Sequence, residues 1–385
     1  MPTAFEPPST GIRFPNLDAL RAIAAIAVLL DHVVVQMDLP ESDPSFYFGQ
    51  LLSFGGHGGR LGVLFFFVLS GFLITYRMHE EKRRNGRLHI GHFYMRRLLR
   101  IWPLYYLTLV LGFVAFPVFI GIGQGSSETA SPLLYALFLP NFDMLYNGDP
   151  QSPILGVHWS LGVEEQFYLL WPLVFVLFRH RGAFALVVLA VCAAAECVIG
   201  NSHGRFAYFH LFPNMLYLGS GALLATTVFH SKDRLHRIID KCPRSLRSLV
   251  YVIGVPTLFL LLGWAADYPT RITAVRAATI AFFLFVVVDQ SHWGRPSLPM
   301  GSIPGLSWLG KRSYGIYLLH MVALVLVYQL TPLGFAGIWS TALLSLALSI
   351  LLSHLSYRYF ESYFLEMKSK FRGGSMVSAR TVPSS

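Results

Sequence analysis

Apolar residues gather along the chain into about ten runs, near 17–37, 61–77, 101–122, 161–178, 183–200, 208–229, 248–264, 272–289, 313–331 and 336–357, each separated from the next by a polar segment. A run of about 20 apolar residues is long enough to cross a bilayer. Only a helix lets a single crossing segment satisfy all of its own backbone polar groups there. The pattern therefore predicts an all-α, polytopic membrane protein with about ten transmembrane helices. The first run is read as a span, being too long for a cleaved leader and lacking a cleavage pattern. Residues 1–13, rich in Pro, Ser and Thr, predict a poorly ordered cytoplasmic N-terminus; 14–366 form the transmembrane domain, and 367–385 a basic, poorly ordered cytoplasmic tail.

Composition agrees. Of the 385 residues 54% are hydrophobic and 13% charged, against about 25% charged in soluble domains, and the mean hydropathy is +0.53. The net charge of +10 raises the question of nucleic acid, and its placement answers it. Basic residues fall in alternate loops: Arg77 to Arg100, Arg179 and Arg181, Lys232 to Arg247, Arg295 with Lys311 and Arg312, then Lys368 to Arg372. The intervening loops carry Asp38, Glu41, Asp43, Glu128, Asp143, Asp149 and Asp267 with few cations. The positive-inside rule then places both termini in the cytoplasm, as an even number of spans requires, and the basic excess is a topology signal with no nucleic-acid partner implied. Cys192, Cys197 and Cys242 form neither a disulfide framework nor a metal-binding spacing.

Chemistry is sought where polar groups enter spans, since charge inside a bilayer is costly and points at partners or cavities. Arg21 and His32 lie 11 positions apart on the first span, a rotation of about 1100°, so they share a face roughly 16 Å apart along the axis. A snorkelling arginine and a satisfied core histidine would look the same. Arg97 and Arg100 share a face where the third span begins, and paired guanidinium forks suit phosphate. An anionic-lipid patch is the plainer alternative. Glu164 and Glu165 follow the interfacial Trp159 within two turns of an apolar helix. Ser70 and Gly71 read as close-packing residues, His57 as a loop residue and His320 as a packed, hydrogen-bonded histidine. Residues 123–160 form the longest outer loop, able to cap or line an entrance. Spans five to eight read as scaffold.

Leu17-Asp18-Ala19-Leu20-Arg21 with His32, the Phe-rich Gly62–Thr75 segment, Arg97-Leu98-Leu99-Arg100-Ile101-Trp102-Pro103, Trp159-Ser160-Leu161 with Glu164-Glu165-Gln166-Phe167-Tyr168, and Ser313-Tyr314-Gly315-Ile316-Tyr317-Leu318-Leu319-His320 occur in one order between Leu17 and Glu361. As a set they resemble the acyltransferase-3 family, multi-span O-acyltransferases of the bacterial inner membrane that modify surface glycans. The resemblance implies an Arg-x10-His motif, matched by Arg21 and His32, and an Arg-x-x-Arg motif, matched by Arg97 and Arg100. Many members carry a fused esterase-like domain, which this sequence is expected to lack.

On that footing Arg21, Arg97 and Arg100 are expected to hold the phosphates of a cytoplasmic acyl-CoA, in all expectation acetyl-CoA, used as donor substrate with no bound cofactor and no metal. His32 is the expected base for an acceptor hydroxyl, with an acyl-histidine as the rival step. Glu164 or Glu165, at a matching depth, is expected to hold the other ring nitrogen. The acceptor is a cell-surface or lipid-linked glycan, or a small molecule such as a macrolide. A transporter is the first non-enzyme alternative, although no pair of repeated halves with broken helices is evident, and a membrane sensor or assembly factor, which would tolerate replacement of the Arg and His positions, is the second. The sequence carries no signal of oligomeric state.

Overall fold

A computed structural model describes residues 14–37, 44–52, 56–119, 128–178, 181–200, 204–266, 269–291, 295–328, 330 and 335–371. The expected disordered N-terminus, most of the basic tail, and Asp38, Glu41, Asp43, Arg179 and Asp267 lie outside the described residues. Within them the fold is helical, with no strand.

Ten principal helices account for the ten hydrophobic runs: α1 (Pro15–Met37), α2 (Gly58–Asn85), α3 (Ile90–Val110), α4 (His158–Leu177), α5 (Arg181–Gly200), α6 (Leu211–Asp240), α7 (Arg244–Ala266), α8 (Pro269–Ser291), α9 (Ser313–Tyr328) and α10 (Phe335–Leu355). Among the described residues, eight segments are long and apolar enough to cross a membrane, and α5 and α9 hold shorter apolar stretches, Ala183–Ala195 and Ser313–Tyr328. Eight spanning segments among the described residues thus stand against the ten expected.

Local chemistry sets the helix ends. Asp18 sits in the first turn of α1, and Lys82, Arg83 and Arg84 in the last turn of α2, each complementing the partial charge of its terminus. Gly86 ends α2 with φ 73°, a left-handed conformation that glycine adopts without a Cβ penalty. At the foot of α1, Asn16 accepts from the Gly301 N–H at 2.7 Å, and Gly310 packs against the Asp18 carbonyl with no room for a side chain.

The centre of the bundle is α2, buried along most of its apolar length. It crosses α6 at two glycines: a Cβ on Gly71 would overlap the Leu218 carbonyl, and one on Gly221 would overlap that of Val68. Such small residues allow helix backbones to touch, the main route to tight association where lipid removes the hydrophobic drive.

Between α7 and α8 lies a buried ion pair. Arg247 Nη1 donates to Asp289 Oδ1 at 2.7 Å, with side-chain exposures of 5% and 1%. Asp289 Oδ2 accepts from the Tyr251 hydroxyl at 2.9 Å, Gln290 Nε2 at 3.0 Å and the Ser297 hydroxyl at 2.6 Å.

The described part of the long loop, 128–157, folds as three short helices, Pro132–Ala136, Pro140–Asn147 and Pro153–Gly156. Glu128 gathers the backbone N–H groups of Ala130, Gln151 and Ser152 at 3.0, 2.9 and 2.9 Å. The loop seals onto the bundle where Gln166 Nε2 donates to the Phe138 carbonyl at 2.9 Å and the Tyr105 hydroxyl to that of Tyr135 at 2.7 Å.

Candidate active site

Two connected cavities open the bundle. The deeper holds about 870 Å³ of empty space counting its mouth, and the second, about 420 Å³, shares Ile74, Arg77, Arg97 and Arg100 with it. Three of the sequence-predicted residues, Arg21 from α1 and Arg97 and Arg100 from α3, meet in the deeper cavity. A fourth arginine, Arg77, joins them from α2, its side chain exposed to the open space. Arg21 has a loose partner in Asp18 at 3.9 Å. Among the described residues no carboxylate lies within 4 Å of Arg77, Arg97 or Arg100. Arg97 faces the ring of Tyr168 at 5.2 Å. By contrast Arg96, at the outer mouth, is fully engaged by Glu81 Oε2 at 2.6 Å and the Phe371 carbonyl at 2.8 Å.

Several like charges around empty space, in surroundings that weaken screening, make a site for a multiply charged anion. Structural charges are ordinarily paired when buried.

Farther along the cavity Glu164 accepts from the Ser70 hydroxyl at 2.7 Å and the Tyr168 hydroxyl at 2.9 Å. Glu165 points elsewhere. It accepts from Trp102 Nε1 at 3.3 Å, and its Oε1 is buried with no partner.

The expected carboxylate–histidine pair is not formed: neither Glu164 nor Glu165 hydrogen-bonds to His32. The reason is lateral. α1 packs against α2, α9 and α10, and the group opposite His32 is His320 of α9. The rings meet edge to face with centroids 5.1 Å apart, and His320 Nε2 stands 3.4 Å from His32 Nδ1. His32 Nδ1 also lies 2.8 Å from the Val28 carbonyl, and His320 Nδ1 bonds that of Tyr317. Carbonyls only accept, so both Nδ1 atoms carry hydrogen when the rings are neutral. His320 Nε2 is then an acceptor turned toward the His32 N–H, and His32 Nε2 carries a lone pair. His320, read in the sequence as a packing residue, is thus buried and bonded, and it also orients His32.

His32 does not line the arginine cavity, which closes at Val63, Phe66 and Tyr317. Phe66 and Tyr317 rings contact at 6.0 Å, and the Tyr317 hydroxyl is held by Ser160 Oγ at 2.6 Å. No described residue of the 128–157 loop lines this cavity.

Sequence reasoning missed Arg77, Ser70, Tyr168 and Tyr317. The signal existed: Ser70 and Arg77 are seven apart and Glu164 and Tyr168 four apart, spacings that share a helix face. Asp31 faces the start of α2, close enough to Gly59 that a Cβ there would lie 2.5 Å from its Oδ2, which keeps the carboxylate away from the His32 face.

Comparison with known proteins finds relatives over most of this chain. The chain spans about half the length of the curated relatives it matches. It is 27% identical over 368 residues to "Peptidoglycan O-acetyltransferase OatA" of Listeria monocytogenes, covering 90% of this chain and 55% of that one. To "Putative peptidoglycan O-acetyltransferase YrhL" of Bacillus subtilis it is 26% identical over 369 residues, covering 90% and 54%. To a "Putative O-acetyltransferase" of Staphylococcus aureus it is 25% identical over 371 residues, covering 91% and 57%. No solved structure gives a significant match. The family model for the acyltransferase domain matches residues 14–358, a range that takes in every arginine, glutamate and histidine of the site, and the chain belongs to the acyltransferase-3 family.

Proposed function

We propose that the protein is a membrane O-acyltransferase that moves an acyl group, acetyl by analogy with the named relatives, from acyl-CoA to a hydroxyl of a cell-surface or lipid-linked glycan. The observation that carries the reading is the cluster of Arg77, Arg97 and Arg100 with Arg21, without a carboxylate within 4 Å of the first three among the described residues, around a cavity that ends at Phe66 and Tyr317, with the His32–His320 pair beyond that closed end. By the positive-inside rule the arginine end is cytoplasmic, in a bacterial inner membrane with both termini inside.

In this reading the donor's phosphates occupy the guanidinium cluster and its pantetheine arm runs along α2, past Ser70 and Glu164. Phe66 and Tyr317 turn aside to admit the thioester. His32 Nε2 takes the proton from the acceptor hydroxyl as its oxygen attacks the thioester carbonyl. The C–O bond forms, the C–S bond breaks, and the thiolate recovers the proton as CoA thiol. The imidazolium that forms transiently is stabilised by the Val28 carbonyl and by His320 Nε2, the role first expected of a glutamate. Glu164 shapes the donor channel through Ser70 and Tyr168.

The test is acyl-CoA-dependent transfer to glycan in membrane vesicles, read by mass spectrometry. Loss of the base in a folded His32→Ala variant is expected to lower the rate about 10²- to 10⁴-fold, and wild-type activity there overturns the assignment. Arg97→Gln with Arg100→Gln is expected to abolish saturation by acyl-CoA at accessible concentrations. Unchanged donor binding removes the basis for the reading.

A further inference from the structure

A third cavity lies on the other side of α2. At 100° per residue, His79, Lys82 and Arg83 fall about 140° to 240° around the helix from Arg77. They face away from the arginine cluster, and the two cavities share no lining residue. The space, about 940 Å³ counting its mouth, is bounded by the last turns of α2, the end of α4, the start of α5 and the middle of α6. Ser231 of α6 departs from helical dihedrals at φ −130°, ψ 30°, and the gap opens beside that bend.

Its floor is aromatic. The His79 ring stacks on Phe229 with centroids 5.0 Å apart and meets Phe175 edge-on at 4.7 Å. Its Nε2 is 3.1 Å from the Thr226 hydroxyl, which fixes the ring. At the rim Lys82 Nζ lies 5.6 Å from the Phe175 ring centre, and Arg83 Cζ lies 5.3 Å from that of Phe229. Both cations are exposed, and among the described residues neither has a carboxylate within 4 Å. The acids next to them in sequence are already taken, Glu80 by Arg84 at 2.7 Å and Glu81 by Arg96 at 2.6 Å.

A small soluble anion would use the two cations and leave the phenyl floor idle. An apolar ligand would use the floor and leave the cations idle. The cations follow directly on the apolar length of α2, at the level where basic side chains meet lipid headgroups. A ligand that uses both features at that level has an anionic phosphodiester joined to hydrocarbon.

We propose that this cavity binds an anionic glycerophospholipid, its phosphodiester between Lys82 and Arg83 and its first chain segments on Phe175, Phe184 and Phe229. The site is independent of the acyl-transfer reading. Bound there, the lipid bridges α2, α4 and α6 where the bend leaves them apart.

The full chain, delipidated in a neutral detergent, is titrated with short-chain phosphatidylglycerol, short-chain phosphatidylcholine or inorganic phosphate, reading melting temperature and bound mass by native mass spectrometry. Phosphatidylglycerol alone is expected to raise the melting temperature and to remain as a bound adduct. The double variant Lys82→Gln/Arg83→Gln is expected to bind it about thirty-fold more weakly, and Lys82→Arg/Arg83→Lys to restore binding. Equal effects from phosphatidylcholine, the same shift from phosphate, or wild-type affinity in the glutamine variant would each overturn the site. Phe229→Leu, which leaves both charges in place, guards against a double variant that fails to fold: weaker phosphatidylglycerol binding supports the site, and unchanged binding counts against the aromatic floor.

Discussion

The bundle holds two arginine groups at its basic end, and they are built on opposite principles. Arg247 is bonded to Asp289 at 2.7 Å, and three further side-chain donors close around the same carboxylate. Arg77, Arg97 and Arg100 surround empty space with no carboxylate within 4 Å among the described residues. The first group carries its counter-charge within the fold and joins α7 to α8. Under the proposed function the second takes its counter-charge from a bound anion. Removing a partner should therefore damage the first group through folding and the second through binding.

The largest expected effect is on the closed pair. Asp289→Ala leaves the Arg247 charge buried and unpaired and is expected to cost about 3–5 kcal/mol, seen as a lowered melting temperature in detergent. Replacing both members with apolar residues, as in Arg247→Met with Asp289→Leu, should recover most of the loss, because the desolvation cost disappears with the charges. Persistence of the full deficit would show that Arg247 and Asp289 hold the helices by more than their mutual bond.

In the open cluster the order reverses. Arg77→Gln removes one charged donor worth about 1.5–3 kcal/mol to a bound anion, so the acyl-CoA concentration at half-saturation should rise roughly ten- to hundred-fold. Its melting temperature without donor should hold or rise, since repulsion from the neighbouring arginines is relieved. A fall in stability with unchanged donor use would make Arg77 a structural residue like Arg247. The smallest effect is expected at Ser70→Ala, which deletes the 2.7 Å bond to Glu164, a neutral donor worth about 1 kcal/mol. A several-fold loss of turnover with intact expression is the outcome to look for in vesicle assays.

Hydrophobic run lengths revealed the helices because bilayer thickness imposes them residue by residue. Rotational arithmetic placed Arg21 and His32 on one face, and both do face α9, whose Ser313, Tyr314 and Tyr317 line the cavity and whose His320 meets His32. What stayed hidden was which helix stands next to which. Depth counted from Trp159 brought Glu164 and Glu165 level with His32, but level groups on helices that do not adjoin cannot pair. Arg77 was hidden for another reason: one sequence signal, a basic residue at a helix end, marks topology and ligand binding alike.

The contact of Gly71 with the Leu218 carbonyl and of Gly221 with that of Val68 divides the molecule into a keel and a shell. Two backbones in direct touch have no side chains to repack, so α2 and α6 have no second register to slide into. The other walls of the arginine cavity come from α1, α3, α4 and α9, so under the proposed function the widening that admits a long donor falls to those helices, and a small molecule that wedges α3 against α9 is expected to slow acyl-CoA-dependent transfer without reaching the histidines.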